Sequence, residues 1–121
     1  MTIDFYHIQQ KEITANDCSV SFLLRPEHAV FKGHFPGNPI LPGVCMIQMI
    51  KDVFSDAKDI KAHLTTIHQV KFLELIVPEA GTILTLHLHW TATGPGQWQV
   101  QAGMIRGENV FCKFKGVFST T

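Results

Sequence analysis

Along residues 18–24, CSVSFLL, the side chains of Cys18, Val20, Phe22 and Leu24 fall on one side of an extended chain. That two-residue period predicts a half-buried strand. RPEHA at 25–29 breaks it, and a loop rich in proline and glycine fills 33–43. Each proline there fixes its own φ and restricts the residue before it, so the loop is stiff. At Val44 the period changes. VCMIQMIKDVF, residues 44–54, is apolar except at Gln48, Lys51 and Asp52, which predicts a helix buried on most sides at the centre of the fold. SDAKD at 55–59 is expected to end it.

The remainder predicts strands. TIHQVKFLELIV (66–77) runs to Pro78, and TILTLHLHWTA (82–92) alternates Leu84, Leu86, Leu88 and Trp90 with Thr85, His87, His89 and Thr91. QWQVQAGMI (97–105) sets Trp98, Val100, Ala102 and Met104 against three glutamines. RGEN at 106–109 carries turn chemistry, and VFCKFKGVFS (110–119) alternates again. A buried helix with antiparallel strands at hairpin spacing predicts an α+β fold, the helix packed on a sheet. No repeat, linker or low-complexity tract divides the chain, so residues 1–121 are expected to form a single domain.

Composition narrows function more than fold. Apolar residues make up 45% of the chain, enough for a core. Ten basic residues balance ten acidic ones with no dense cluster, which argues against nucleic acid or an anionic membrane as partner. MTIDFYHIQQ lacks the basic and apolar regions of a secretory signal, and no apolar run approaches the ~20 residues of a spanning helix. Cys18, Cys45 and Cys112 have no metal-like spacing and suit free thiols in a reducing cytoplasm.

The stiff loop and the helix start hold the chemistry. Here His34-Phe35-Pro36, Pro39 and Pro42-Gly43-Val44 stand at fixed spacing, with Gln48 four residues after the valine. This segment, 34–48, resembles the active-site segment of the β-hydroxyacyl–acyl carrier protein dehydratases of fatty-acid synthesis, whose pattern carries a carboxylate at the position of Gln48. VKFLELIVPEAGTIL (70–84) is similar to the same family's basic-aromatic strand running into Pro and a turn. The resemblance implies a hot-dog fold, a long central helix wrapped by a curled antiparallel sheet, paired into dimers whose sites draw on both subunits. It implies as partner an acyl carrier protein bearing a 3-hydroxyacyl chain, which loses water to give the trans-2-enoyl thioester. No cofactor and no metal is expected.

Such an elimination needs a base for the C2 proton, a holder for the enolate-like oxygen, and help for the departing hydroxyl. His34 suits the first, since imidazole titrates near pH ~6.5; the plainer reading is a histidine in a tight turn. Gly43 and Val44 suit the second: glycine admits a close approach, and N–H groups at a helix start point outward at the positive dipole end. Gln48 falls to the third, where a carboxamide donates a hydrogen bond but is no acid. General acid–base help is worth ~10²–10⁴ in rate. The alternative for Gln48 is a buried amide paired to backbone.

Asp52, four residues on, shares its helix face and is read as a solvated or capping aspartate, with a compensating role as the alternative. Phe35, Phe72 and Met46 are candidates for an acyl tunnel or plain core. Cys45 is assigned to core packing. His87 and His89 share a strand face but lack a third ligand, and His63 and His68 have opposite strand parity. Three readings stand: a dehydratase with His34 as base and Gln48 as positioning group; a catalytically weak subunit of a heterodimer with a related chain, or a binding partner in a lipid or polyene synthesis assembly; and a hot-dog acyl thioesterase, for which the helix offers only Asp52 as carboxylate base.

Overall fold

The computed structural model describes residues 5–31 and 40–120. Among these residues six antiparallel strands form one sheet: β1 (Tyr6–Ile13), β2 (Asp17–Leu24), β3 (His63–Phe72), β4 (Ile83–Gly94), β5 (Gln97–Arg106) and β6 (Asn109–Ser119), in the order β1-β2-β4-β5-β6-β3. One α-helix among the described residues, α1 (Gly43–Lys58), lies against one face. This is the hot-dog arrangement.

Alternation makes the sheet one-sided. Val20, Phe22, Leu86, Leu88, Trp90, Val100, Met104, Phe114 and Phe118 are buried on the helix side, with Met49, Ile50, Val53 and Phe54 of α1 in the same core. The Phe54 ring packs against Trp90, Trp98 and Phe118 at centroid distances of 5.4, 5.7 and 5.3 Å. Burying side chains of this size contributes roughly 1.5–3 kcal/mol each and anchors the helix.

Three expectations are corrected, and one strand was not foreseen. The helix is not buried on most sides within one chain: Cys45, Met46, Met49, Ile50, Val53 and Phe54 form its buried face, while Gln48, Lys51, Asp52 and Ser55 are half-buried and Val44 is exposed. It also continues through Ser55–Lys58 and ends at Asp59, which takes the left-handed conformation with φ 53°. There the N–H of Ile60 donates to the Ser55 carbonyl, a Schellman-type stop. The strand expected over 66–77 instead spans His63–Phe72, and residues 73–79 leave the sheet. Tyr6–Ile13 forms an edge strand that no alternation had marked, because seven of its eight residues are exposed.

The other strands match expectation within a few residues. The β5–β6 turn uses Gly107 at φ +59°, a conformation glycine adopts at no steric cost. No helix among the described residues is long and apolar enough to cross a membrane.

Candidate active site

Two segments distant in sequence meet at the start of α1. Pro42 precedes the helix with φ −64° and ψ 146° and offers no side-chain cap, while its carbonyl accepts from the N–H of Cys45 at 3.0 Å. The Leu41 N–H donates to the Ile76 carbonyl at 2.8 Å, tying the approach to the helix onto the segment after β3. At Gly43 a Cβ would stand 2.7 Å from Cζ of Phe72, so the missing side chain makes room for that ring. Phe72 is nonetheless 49% exposed, half on the helix start and half open.

Of the six residues the sequence nominates, the structure therefore brings Gly43 and Phe72 into contact, with Val44 exposed beside them and Gln48 one turn further along. His34 and Phe35 lie outside the described residues. Unlike Phe72, Met46 is fully within the core.

Gln48 is bound to a side chain, not to backbone. Its Nε2 donates to Oδ1 of Asp52 at 2.9 Å. Asp52 is accordingly no solvated or capping residue: it is half-buried, and its Oδ2 is buried with no hydrogen-bond partner among the described residues. The signal for this pair was the four-residue spacing of an amide and a carboxylate. Beyond Asp52, a cavity of about 370 Å³ opens between α1 and the β1–β2 edge, where Lys11 binds Asp56 at 2.6 Å. That contact holds the Lys11 ammonium above its usual range, first through the hydrogen bond and then through charge.

Burial pushes the Cys45 thiol up from its ordinary value and the Cys112 thiol up to about 11. Both are thiols at neutral pH and unsuited to nucleophilic attack. His89 Nδ1 and His87 Nε2 stand 3.0 and 3.9 Å from Oδ1 of Asp17 on the outer sheet face. Among the described residues no group of three His, Cys, Asp or Glu is placed to hold a metal ion.

A helix start meets the aromatic end of β3 here, with the Gln48 amide one turn on, where the dehydratase resemblance implies a carboxylate. Residues 9–113 match the model of the ApeI-like family, described as ApeI dehydratase. The chain belongs to this dehydratase family. It is 30% identical over 116 residues to the 3-hydroxyacyl-[acyl-carrier-protein] dehydratase FabZ of Alkaliphilus metalliredigens, covering 90% of this chain and 70% of that protein. With the FabZ of Levilactobacillus brevis it shares 32% over 89 residues, 68% of this chain and 59% of that one. Several curated relatives are thus matched over less than two thirds of their length.

Among solved structures, a chain of the dehydratase heterocomplex ApeI:P from Xenorhabdus doucetiae superposes with a TM-score of 0.76 at 22% identity, covering 93% of this chain and 96% of that one. A hypothetical thioesterase with coenzyme A from Streptococcus pneumoniae gives 0.70 at 12% identity, covering 96% and 85%. At such identities the likeness concerns the hot-dog fold. The dehydratase family membership rests on the sequence matches.

Proposed function

We propose that the protein removes water from 3-hydroxyacyl thioesters carried on acyl carrier protein, giving trans-2-enoyl thioesters in fatty-acid or related lipid synthesis. One observation carries this: the half-exposed Phe72 ring packs on Gly43 at the start of α1, and Gln48 follows one helical turn after Val44. From Val44 to Gln48 the helix rises only about 6 Å, and a long helical side chain leans back toward the N-terminus. A thioester carbonyl at the Gly43–Val44 amides thus leaves its 3-hydroxyl within reach of Gln48.

In this reading His34 takes the C2 proton, and the Gly43–Val44 N–H groups hold the oxygen on which charge develops. Phe72 lines the path of the acyl chain, the role the sequence also offers for Phe35. Gln48 holds the hydroxyl by hydrogen bonding, without the ~10²–10⁴ that a general acid adds. No cofactor or metal takes part. The three buried free cysteines support a reducing, cytoplasmic setting.

A second reading is favoured by Gln48 itself and by the structural neighbour being part of a heterocomplex. In it the chain is a weak subunit whose related partner supplies the acid. One experiment separates the two. The purified protein is given 3-hydroxyacyl-carrier thioesters, alone and with a FabZ-type subunit, and enoyl product is followed by mass spectrometry. Turnover by the protein alone supports the first reading; turnover only in the mixture supports the second; none in either overturns both.

A further inference from the structure

Taking the dehydratase reading as its basis, we infer that Asp52 is a positioning residue for the elimination, acting through Gln48. An accepting carboxyl oxygen must be met by the amide's nitrogen. The observed Nε2–Oδ1 contact of 2.9 Å has that polarity. An amide without such a partner could face the substrate with either end. Held by Asp52, Gln48 keeps Oε1 and one N–H for the substrate.

Two features of Asp52 set it apart from an ordinary surface charge. Its Oδ2 is buried without a partner among the described residues, a costly arrangement for a polar atom. The cation lining the same cavity, Lys11, is engaged by Asp56 at 2.6 Å. The carboxylate is left to Gln48.

Asp52 stands too far along the helix to reach the hydroxyl itself. It lies about 12 Å of helix rise from Val44, against about 6 Å for Gln48, and its side chain is shorter. On the dehydratase reading the proton is carried by His34. The C2–H bond breaks to the imidazole, C3–O breaks as the C2–C3 double bond forms, and the imidazolium returns its proton to the departing hydroxyl. One water leaves and His34 is neutral again. Gln48 Oε1 accepts the hydroxyl's O–H throughout, which leaves the oxygen's lone pairs open to the returning proton.

The test compares Asp52→Asn, Asp52→Glu and Gln48→Ala. Asparagine offers both a donor and an acceptor, so it no longer fixes the amide. Asp52→Asn should lower kcat about 10–100-fold, the worth of a hydrogen bond to a charged group, with KM nearly unchanged; Asp52→Glu should recover most of it. In a Gln48→Ala background Asp52→Asn should cost nothing further, because its effect runs through Gln48. Binding gives a second readout: the wild type should prefer a 3-hydroxyacyl pantetheine over the saturated acyl analogue, and Asp52→Asn should lose that preference. If Asp52→Asn does not fold, Asp52→Ser is read in its place. Unchanged kcat in Asp52→Asn on a working enzyme, or an equal loss in the Gln48→Ala background, overturns the inference and leaves the dehydratase reading standing. A wild type with no turnover, alone or mixed, removes both.

Discussion

Gln48 and Asp52 put an amide and a carboxylate 2.9 Å apart on one helix face, and this sets what a single substitution will do. Gln48→Glu places two carboxylates within hydrogen-bond distance, where both cannot ionise at ordinary pH and the pair retains one proton. That proton is available to the departing hydroxyl, so elimination should rise, by up to ~10²–10⁴. The sign of the stability effect follows from the same fact. A carboxyl whose folded pKa is raised above its unfolded ~4.3 favours the folded state less as pH rises. Thermal midpoints of Gln48→Glu should therefore approach the wild type at low pH and fall below it as pH passes the raised value. A mutant equally stable across pH and no faster would mean that the two side chains do not share a site. His34→Ala is the complementary substitution: turnover should vanish while circular dichroism and the melt stay as in the wild type. Activity within a few-fold of wild type would remove the imidazole from the mechanism.

Between elements, the joint that matters is Gly43 of α1 against Phe72 of β3. A methyl at position 43 would sit 2.7 Å from the far end of the Phe72 ring, and a ring 49% exposed can swing aside. Gly43→Ala should thus cost on the order of 1 kcal/mol while displacing the ring from the helix start and lowering kcat/KM for long acyl chains. In the double substitution with Phe72→Ala the stability cost should disappear, leaving a coupling of at least ~0.5 kcal/mol in a double-mutant cycle. Additive losses would show that the two residues do not touch. The elements themselves were legible where burial is one-sided: β2, β4, β5 and β6 bury alternate residues and showed as a period of two. Tyr6–Ile13 was not, since an exposed edge strand has no apolar side to reveal it. Leu73, Leu75 and Val77 misled in the opposite sense. They are apolar yet 50–70% exposed beyond the end of β3, so their hydrophobicity belongs to no inner sheet face in this chain. At the site, the motif spacing marked Gly43, Val44 and Gln48, but a polar residue late in a helix looks the same in sequence whether solvated or bound. Asp52 needed coordinates.

At the scale of the whole molecule, β1 and β3 are the sheet edges among the described residues, and they differ in what continues them. An edge strand offers unpaired backbone groups to another chain unless charge, bulges or cover prevent it. Along β1 the exposed Ile8 and Ile13 are separated by Gln9, Gln10, Lys11 and Glu12, and Lys11 is held by Asp56. That edge is defended. The other edge, β3, exposes Ile67 at 46% and Phe72 at 49%, and Leu73, Leu75 and Val77 continue the apolar surface beyond it. An apolar run of this extent beside an open edge calls for a partner. A second copy pairing antiparallel along β3 would cover it with the same surface, the self-complementary contact of a two-fold dimer. It would also bring the two Gly43–Phe72 junctions near the shared seam, so that each site draws on both chains. Sedimentation at micromolar concentration should give a dimer, and the pair Ile67→Lys and Leu75→Glu should yield folded monomers with turnover lost along with the dimer. Lysine at 67 adds charge to the edge without touching Gln48 or Asp52, so activity that survives in the monomer would mean that one chain suffices. A wild type that stays monomeric until a related subunit is added, and then pairs one to one, would place the apolar edge in a heterodimer instead. The same two substitutions should then abolish that pairing.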